Sequence, residues 1–427
     1  MSLCRITNGR HTFLRKGVLI VGLFGSFCGW TSLAAQGRLD VRSAGSISVK
    51  GSDRTRLEDI DPDGRVLILN RDPDSQEPDL LVWDPGTMAF VRRIRPDWTY
   101  APRWVPSGGD IPRSFRVTSA RGDLVGALGY YLAVIDGKRD TLHRVLCAPD
   151  LKEPKSPYTE QSSDAWSYVH GTVIARYNYS GLVAAAFNFG KWPRLFLLRP
   201  PWNAPSASWR MDRFVKALAW SHDGKTLAVL YSNAFNDHLK FVNAWHRGGV
   251  RNTLPDVALI DLKTGKTRLK FFSGDYQSSI VFSPDGKFIY CAGFGPASPR
   301  RGWVVRKFSA SNGKLVRKIK ERGLKLRGDL AVSPDGRYLV ADASSTRFSL
   351  GVIFNDTSGY DRRFRFVVID TATGKVVFKH EERAADTLLV WPPTFAFSPD
   401  GEYLYVDPHL HGPGSPEIQV YSLREKH

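Results

Sequence analysis

Residues 279–293 read SIVFSPDGKFIYCAG, and the pattern returns at 329–343 as DLAVSPDGRYLVADA and at 394–408 as TFAFSPDGEYLYVDP. Each copy is an apolar run, the tetrad Ser-Pro-Asp-Gly and a second β-rich run, so one structural unit has been duplicated. Self-similarity of this kind outranks any local motif. Degenerate copies extend it: AWSHDGKTLAVLY carries His222 for Pro, DIDPDGRVLILN carries Asp61 for Ser, and weaker turns stand in TSARGDLVGAL and YNYSGLVAAAF. The turn glycines are then Gly64, Gly122, Gly181, Gly224, Gly286, Gly336 and Gly401, spaced by 58, 59, 43, 62, 50 and 65 residues. These spacings exceed the roughly 40 to 50 residues of a compact four-stranded unit, so several units must carry long loops.

A second signal follows most of these turns. LVWDPGTM, AVIDGKR, ALIDLKTGKTRLKF, KFSASNGKLVRKI and VVIDTATGKVVFK each join an alternating apolar strand to an Asp/Asn and Gly turn. Tight hairpins need such residues because glycine tolerates positive φ. Two hairpins per unit make four strands, A to D. The motifs resemble those of the WD40-like and YVTN-type seven-bladed β-propellers, over nearly all of the chain after residue 50. The resemblance implies an all-β, seven-bladed β-propeller of four-stranded antiparallel blades. The third unit departs from it, offering only PRLFLLRPPW where a C–D turn belongs. The last copy ends at EIQVYSLREKH, one strand short, while residues 38–50 (RLDVRSAGSISVK) form an alternating strand with no home. Pairing the two closes the ring, and closure removes exposed strand edges.

Residues 1–35 are of another kind. Arg10, Arg15 and Lys16 precede the apolar run Gly17–Gly29, and Ser32 and Ala34 are small residues of the type signal peptidase accepts. The expectation is a signal peptide over 1–35 and a single propeller domain over 36–427, exported to the periplasm or the extracellular space. A membrane enters only if the signal stays uncleaved; Gly22, Gly25, Ser26, Gly29 and Thr31 make it a poor anchor. Cys28 follows Phe27, which does not suit lipid attachment. The remaining Cys147 and Cys291 fall in different blades and are expected reduced. Removing residues 1–35 lowers the net charge of +18 to about +14, since Arg5, Arg10, Arg15 and Lys16 leave with no acid.

A basic exported protein favours acidic proteins or anionic envelope polymers as partners. Nucleic acid is disfavoured by export and by the lack of a recognition helix. No catalytic motif is present: no Gly-x-Ser-x-Gly elbow, no phosphate-binding loop, no Cys-x-x-Cys. Ser221-His222-Asp223 are consecutive and cannot converge as a triad. The sequence therefore points to a non-catalytic, monomeric binding scaffold without cofactor. The alternative is an envelope enzyme or redox-enzyme subunit holding a metal or quinone, as similarity to the quinoprotein amine dehydrogenase heavy chain would imply.

In this strand order the B–C and D–A connections share one end of the ring, where the long insertions fall: 233–255, 293–303, 344–365 and 407–417, with the D–A connection 149–170. Aromatics and arginines alternate there, and these residue types anchor interfaces. Trp245, Arg247, Arg300, Arg301, Trp303, Arg347, Tyr360, Arg362 and Arg363 are the candidate partner-binding residues. His238, His246, His409 and His411 share that end but lack ligand spacing to one another, so no metal site is assigned. The run Asp59 to Gly64 mimics the start of a calcium loop, yet Asn70 stands where the closing acid belongs, and the repeat register makes it a turn.

Overall fold

The structure is a computed structural model. It describes residues 38–49, 54–61, 63–71, 78–95, 116–120, 123–128, 131–135, 142–146, 172–176, 182–187, 193–200, 205–213, 215–231, 255–274, 276–294, 303–343, 363–383, 389–390, 393–408, 410–411 and 417–426.

Blade 1 is β2 (Arg54–Ile60), β3 (Val66–Arg71), β4 (Pro78–Asp84) and β5 (Ala89–Ile94). Blade 2 is β6 (Arg116–Ala120), β7 (Asp123–Leu128), β8 (Tyr131–Ile135) and β9 (Leu142–Leu146). Blade 3 is β10 (Thr172–Arg176), β11 (Val183–Phe187), β12 (Arg194–Leu198) and β13 (Ala207–Arg210). Blade 4 is β14 (Val215–Trp220), β15 (Thr226–Tyr231), β16 (Val257–Asp261) and β17 (Thr267–Phe271). Blade 5 is β18 (Tyr276–Phe282), β19 (Phe288–Phe294), β20 (Trp303–Ser309) and β21 (Leu315–Ile319). Blade 6 is β22 (Arg327–Val332), β23 (Tyr338–Asp342), β24 (Arg363–Asp370) and β25 (Val376–Arg383). All are antiparallel meanders in sequence order.

Blades made of four consecutive strands thus number six, not seven, among the described residues. The remaining four-stranded sheet is composite. β27 (Thr394–Phe397), β28 (Tyr403–Asp407) and β30 (Ile418–Lys426) are completed by β1 (Arg38–Ile47), which pairs antiparallel with β30 from Arg38↔Lys426 to Ile47↔Ile418. The orphan strand of the sequence therefore closes the sheet containing the last Ser-Pro-Asp-Gly turn. This sheet packs on blade 1 through Leu57, Ile68 and Trp83 against Tyr405 and Ile418, and on blade 6 through Phe364 and Phe366 against Leu404 and Tyr421. The first strands of successive sheets touch in turn, and β27 returns to β2. The architecture is an all-β propeller.

Core clusters lie between neighbouring sheets, which explains the apolar runs. A second strand such as β11 or β23 is buried along its whole length because both faces meet another blade. Outer strands differ: β17 and β21 begin exposed beside the C–D turn and end buried.

The repeated tetrad works as a unit. The Ser333 hydroxyl donates to Asp335 Oδ1 (2.5 Å) and accepts from the Tyr338 N–H (2.9 Å), while Asp335 Oδ1 accepts from Arg337 N. Ser283 and Ser398 repeat these bonds, as does Ser221 in the His222 copy. The proline packs on the next turn. A methyl group on Gly336 would lie 3.2 Å from Pro284 Cδ, one on Gly401 3.5 Å from Pro334, and one on Gly64 3.7 Å from Pro399. Gly286 faces open space, because blade 4 offers His222 in place of proline. At the outer hairpins, blade 1 holds Met88 at φ 53, four residues after Asp84, where Gly265 (φ 69) follows Asp261 and Gly374 (φ 71) follows Asp370. Blade 3 makes its C–D turn without a glycine signal; Ser206 donates from both N–H and hydroxyl to the Leu197 carbonyl.

Candidate functional site

Strand order sorts the connections into two ends of the ring. A–B and C–D connections run over short segments such as 221–225, 283–287, 310–314 and 371–375. B–C and D–A connections share the other end and include 95–115, 147–171, 232–256 and 343–362. Loops on a rigid scaffold are where binding groups sit, so this end is the candidate site.

Its described floor is polar and tightly bonded. Asp256, just before β16, is fully buried; it accepts from Ser273 N–H (2.5 Å) and Ser273 hydroxyl (2.7 Å), one on each oxygen. Burial pushes its pKa up to about 6 against those two bonds and the nearby Arg213. Arg213 donates to the Pro255 carbonyl and lies 4.7 Å over the Tyr231 ring, and burial pushes the Tyr231 hydroxyl up to about 12. Asp79, the second residue of β4, lies between Arg93 and Arg95, with Arg93 Nε at 2.6 Å. Asp407 ends β28 and accepts from the Leu57 N–H (2.8 Å), tying the composite sheet to blade 1 across the closure. Buried Arg365 pairs with Glu381 at 2.9 Å. These groups lock the bases of the loops. Asp256 has a pKa suited to proton transfer, yet both oxygens are occupied and no solvent reaches it, so its role is a latch.

Of the candidate residues, Trp303 opens β20 and Arg363 opens β24, which places both at the long-loop end of adjacent blades 5 and 6. His411 lies in β29 (Leu410–His411), paired with β26 (Leu389–Val390) in a two-stranded sheet. Trp245, Arg247, Arg300, Arg301, Arg347, Tyr360, Arg362, His238, His246 and His409 lie outside the described residues, as does Cys147. Cys291 is a free thiol, wholly buried. Among the described residues no group of three His, Cys, Asp or Glu is placed to hold a metal, and no helix is long and apolar enough to cross a membrane. Asp61 accepts from the N–H groups of Asp63 and Arg65 through one oxygen, so it serves the turn. Ser221 donates to Asp223 within its hairpin (2.6 Å), a bond that holds the Asp223 carboxyl below its usual range.

Charge is distributed differently from the expectation of a basic loop-rich face. The connections of blades 4 to 6 are basic, but those after β3 and β9 carry Asp72, Asp74, Glu77, Asp150, Glu153, Glu160 and Asp164. Acids and bases nearly balance over that end as a whole. The surplus of cations lies in the outer strands: Arg92 and Arg93 in β5, Arg144 in β9, Arg210 in β13, Arg268 and Lys270 in β17, Arg317 and Lys318 in β21, with no acid in any of the five.

No protein-family model matches the chain, and no curated protein matches it. Among solved structures it is similar to hydrazine synthase of Kuenenia stuttgartiensis, at 12% identity and a TM-score of 0.51, over 90% of this chain and 97% of that one. The likeness is one of fold. At this identity it agrees with the propeller seen in the strand order and carries no residue of that enzyme's site across.

Proposed function

We propose that this chain is an exported, non-catalytic propeller of the WD40-like or YVTN repeat type, in which the composite sheet counts as a seventh blade. Residues 1–35 act as its secretory signal, and the long-loop end of blades 4 to 6 binds an acidic protein or an anionic envelope polymer. The observation that carries this reading is the asymmetry of the ring: the connections of ten residues or more all leave from one end, while the described hairpins of the other end, such as 221–225, 283–287 and 333–337, are short and internally bonded. Trp303 and Arg363 open their strands on the basic side of that end.

The test is binding of a glycerol-phosphate polymer to the protein with Arg300, Arg301, Arg362 and Arg363 replaced by Ser. Binding should be lost with no change in melting temperature. Unchanged binding, or equal loss on replacing Lys266, Lys314 and Lys375 at the sealed end, overturns the reading. A metal or quinone that copurifies in stoichiometric amount would move the protein to the redox-subunit class instead.

A further inference from the structure

The described large hydrophobic side chains that remain exposed are Met88, Phe90, Val91, Leu315, Val316 and Val377, all on outer strands or the turns leading into them. Soluble proteins usually blunt such edges with charge. Blades 1 and 5 do so in the same order, Phe90-Val91-Arg92-Arg93-Ile94 and Leu315-Val316-Arg317-Lys318-Ile319: two exposed apolar residues, two cations, one buried anchor. In blade 1 the second cation is spent on Asp79.

In blade 5 the second cation, Lys318, is exposed. Ile319 packs toward blade 6 with Leu326 and Leu339, and Arg317 donates to the Ala372 carbonyl (2.5 Å) in that blade's turn. Lys314, Lys318 and Lys320 are exposed, and no acid occurs from Lys307 to Lys320. Blade 4 extends the field. Arg268 reaches the Ala310 carbonyl (3.1 Å), and exposed Lys263 and Lys266 precede it with no acid from Leu262 to Phe271. β21 is the last strand of its sheet, so one side of its backbone has no ladder partner.

We propose that β21 is a docking edge for an extended acidic segment of a partner polypeptide, added antiparallel as a fifth strand. Such a segment satisfies all three features at once: main-chain pairing fills the edge, carboxylates meet Lys318 and the guanidinium N–H groups of Arg317 that the Ala372 carbonyl does not take, and apolar side chains cover Val316 and Leu315. Antiparallel order places the two acids N-terminal to the two apolar residues. A second copy of this chain pairing through β21 would set Arg317 opposite Arg317, which is repulsive. A bilayer would take the charge but leave the backbone edge to water. This surface is separate from the long loops, so its failure leaves the reading above untouched, and the reverse also holds.

The probe is a fluorescein-labelled acetyl-Ser-Glu-Glu-Val-Val-Ser amide, titrated against the full chain by anisotropy. Binding should weaken about tenfold with Lys318→Glu, which should not alter melting. It should also fall as salt rises from about 50 to about 500 mM. Copies N-methylated at alternate residues, in either frame, should lose binding in at least one frame. The proposal is overturned if both N-methylated peptides bind as well as the parent, if Lys318→Glu has no effect, or if phosphatidylglycerol vesicles capture the protein while the peptide does not bind.

Discussion

Replacing Asp256 by Asn should stabilise the protein at alkaline pH and remove part of its pH dependence. The carboxyl is fully buried, and its pKa is raised from 3.8 to about 6 by loss of solvent. Between those two values the folded state holds a proton that the unfolded chain has released, so stability falls as pH rises from about 4 to about 6 and then levels off. At pH 8 the folded protein carries the full cost of a desolvated charge, ~3 kcal/mol for that interval at 1.36 kcal/mol per pH unit. Asn keeps both bonds: its oxygen accepts from Ser273 N–H, and its amide donates to the Ser273 hydroxyl oxygen, which is also an acceptor. The variant should therefore match the parent near pH 4 and exceed it by ~2–3 kcal/mol at pH 8. With an unfolding entropy of ~2.1 cal/mol/K per residue, this is a rise of roughly 3 °C in Tm for a domain of this size. Thermal melts of both proteins from pH 4 to pH 8 measure it. Equal slopes for the two proteins, or a less stable Asn variant at pH 8, would refute the assignment of Asp256 as a buried, strained latch.

Gly265→Ala should cost over 2 kcal/mol, because φ is 69 and the new methyl would meet Trp209 Nε1 at 2.6 Å; Gly286→Ala, at φ 68 with open space, should lose only the ~1 kcal/mol of the left-handed conformation. Chemical denaturation of the pair separates the two terms, and equal losses would show that the contact with Trp209 has no weight. Met88→Gly should stabilise by ~0.5–1 kcal/mol, since an exposed side chain now holds the position that glycine takes in the C–D hairpins of blades 4, 5 and 6. Ser333→Ala should cost ~1–3 kcal/mol by leaving the Tyr338 N–H without its acceptor, and a Tm equal to that of the parent counts against the turn network. Deleting residues 38–47 strips β30 of one of its two neighbours and uncovers Ile418 and Val420, so the shortened protein should aggregate, as light scattering would report.

What the sequence disclosed follows from the range of the interactions involved. The Ser-Pro-Asp-Gly turn is written locally, because serine, aspartate and the following N–H groups bond within six residues, and those turns fall where the motif places them. The second role of its proline, packing on the glycine of the next turn, joins residues of different blades, such as Pro284 and Gly336 or, across the closure, Pro399 and Gly64, and leaves no mark beyond the repeat itself. Blade 3 was hard to read for the opposite reason. Its C–D turn uses a serine against a carbonyl, a solution with no glycine to announce it. The closing strand was legible because alternation without a partner is itself a signal, and β1 meets β30 over its full length. Latches such as Asp407 could not be found this way, since its bond to Leu57 spans 350 residues and an aspartate after a strand looks like any loop residue.

The candidate surfaces show the same division. Insertions betray themselves by length, so the long-loop end was visible, and the acids after β3 and β9 offset there the bases of blades 4 to 6. Outer-strand cations were visible too, in FVRRI, TRLKF and LVRKI, but a lysine on a strand is ordinarily a solvated face. Their meaning depends on which strand ends its sheet. Once β21 is known to be an edge, adjacent cations with no acid on the strand become a feature that excludes self-pairing and admits an acidic strand. An alternating pattern gives the inside and outside of a strand; it does not give the strand's rank in the sheet, and on this ring that rank separates a turn-sealing arginine such as Arg317 from a lysine such as Lys318 with its charge turned outward.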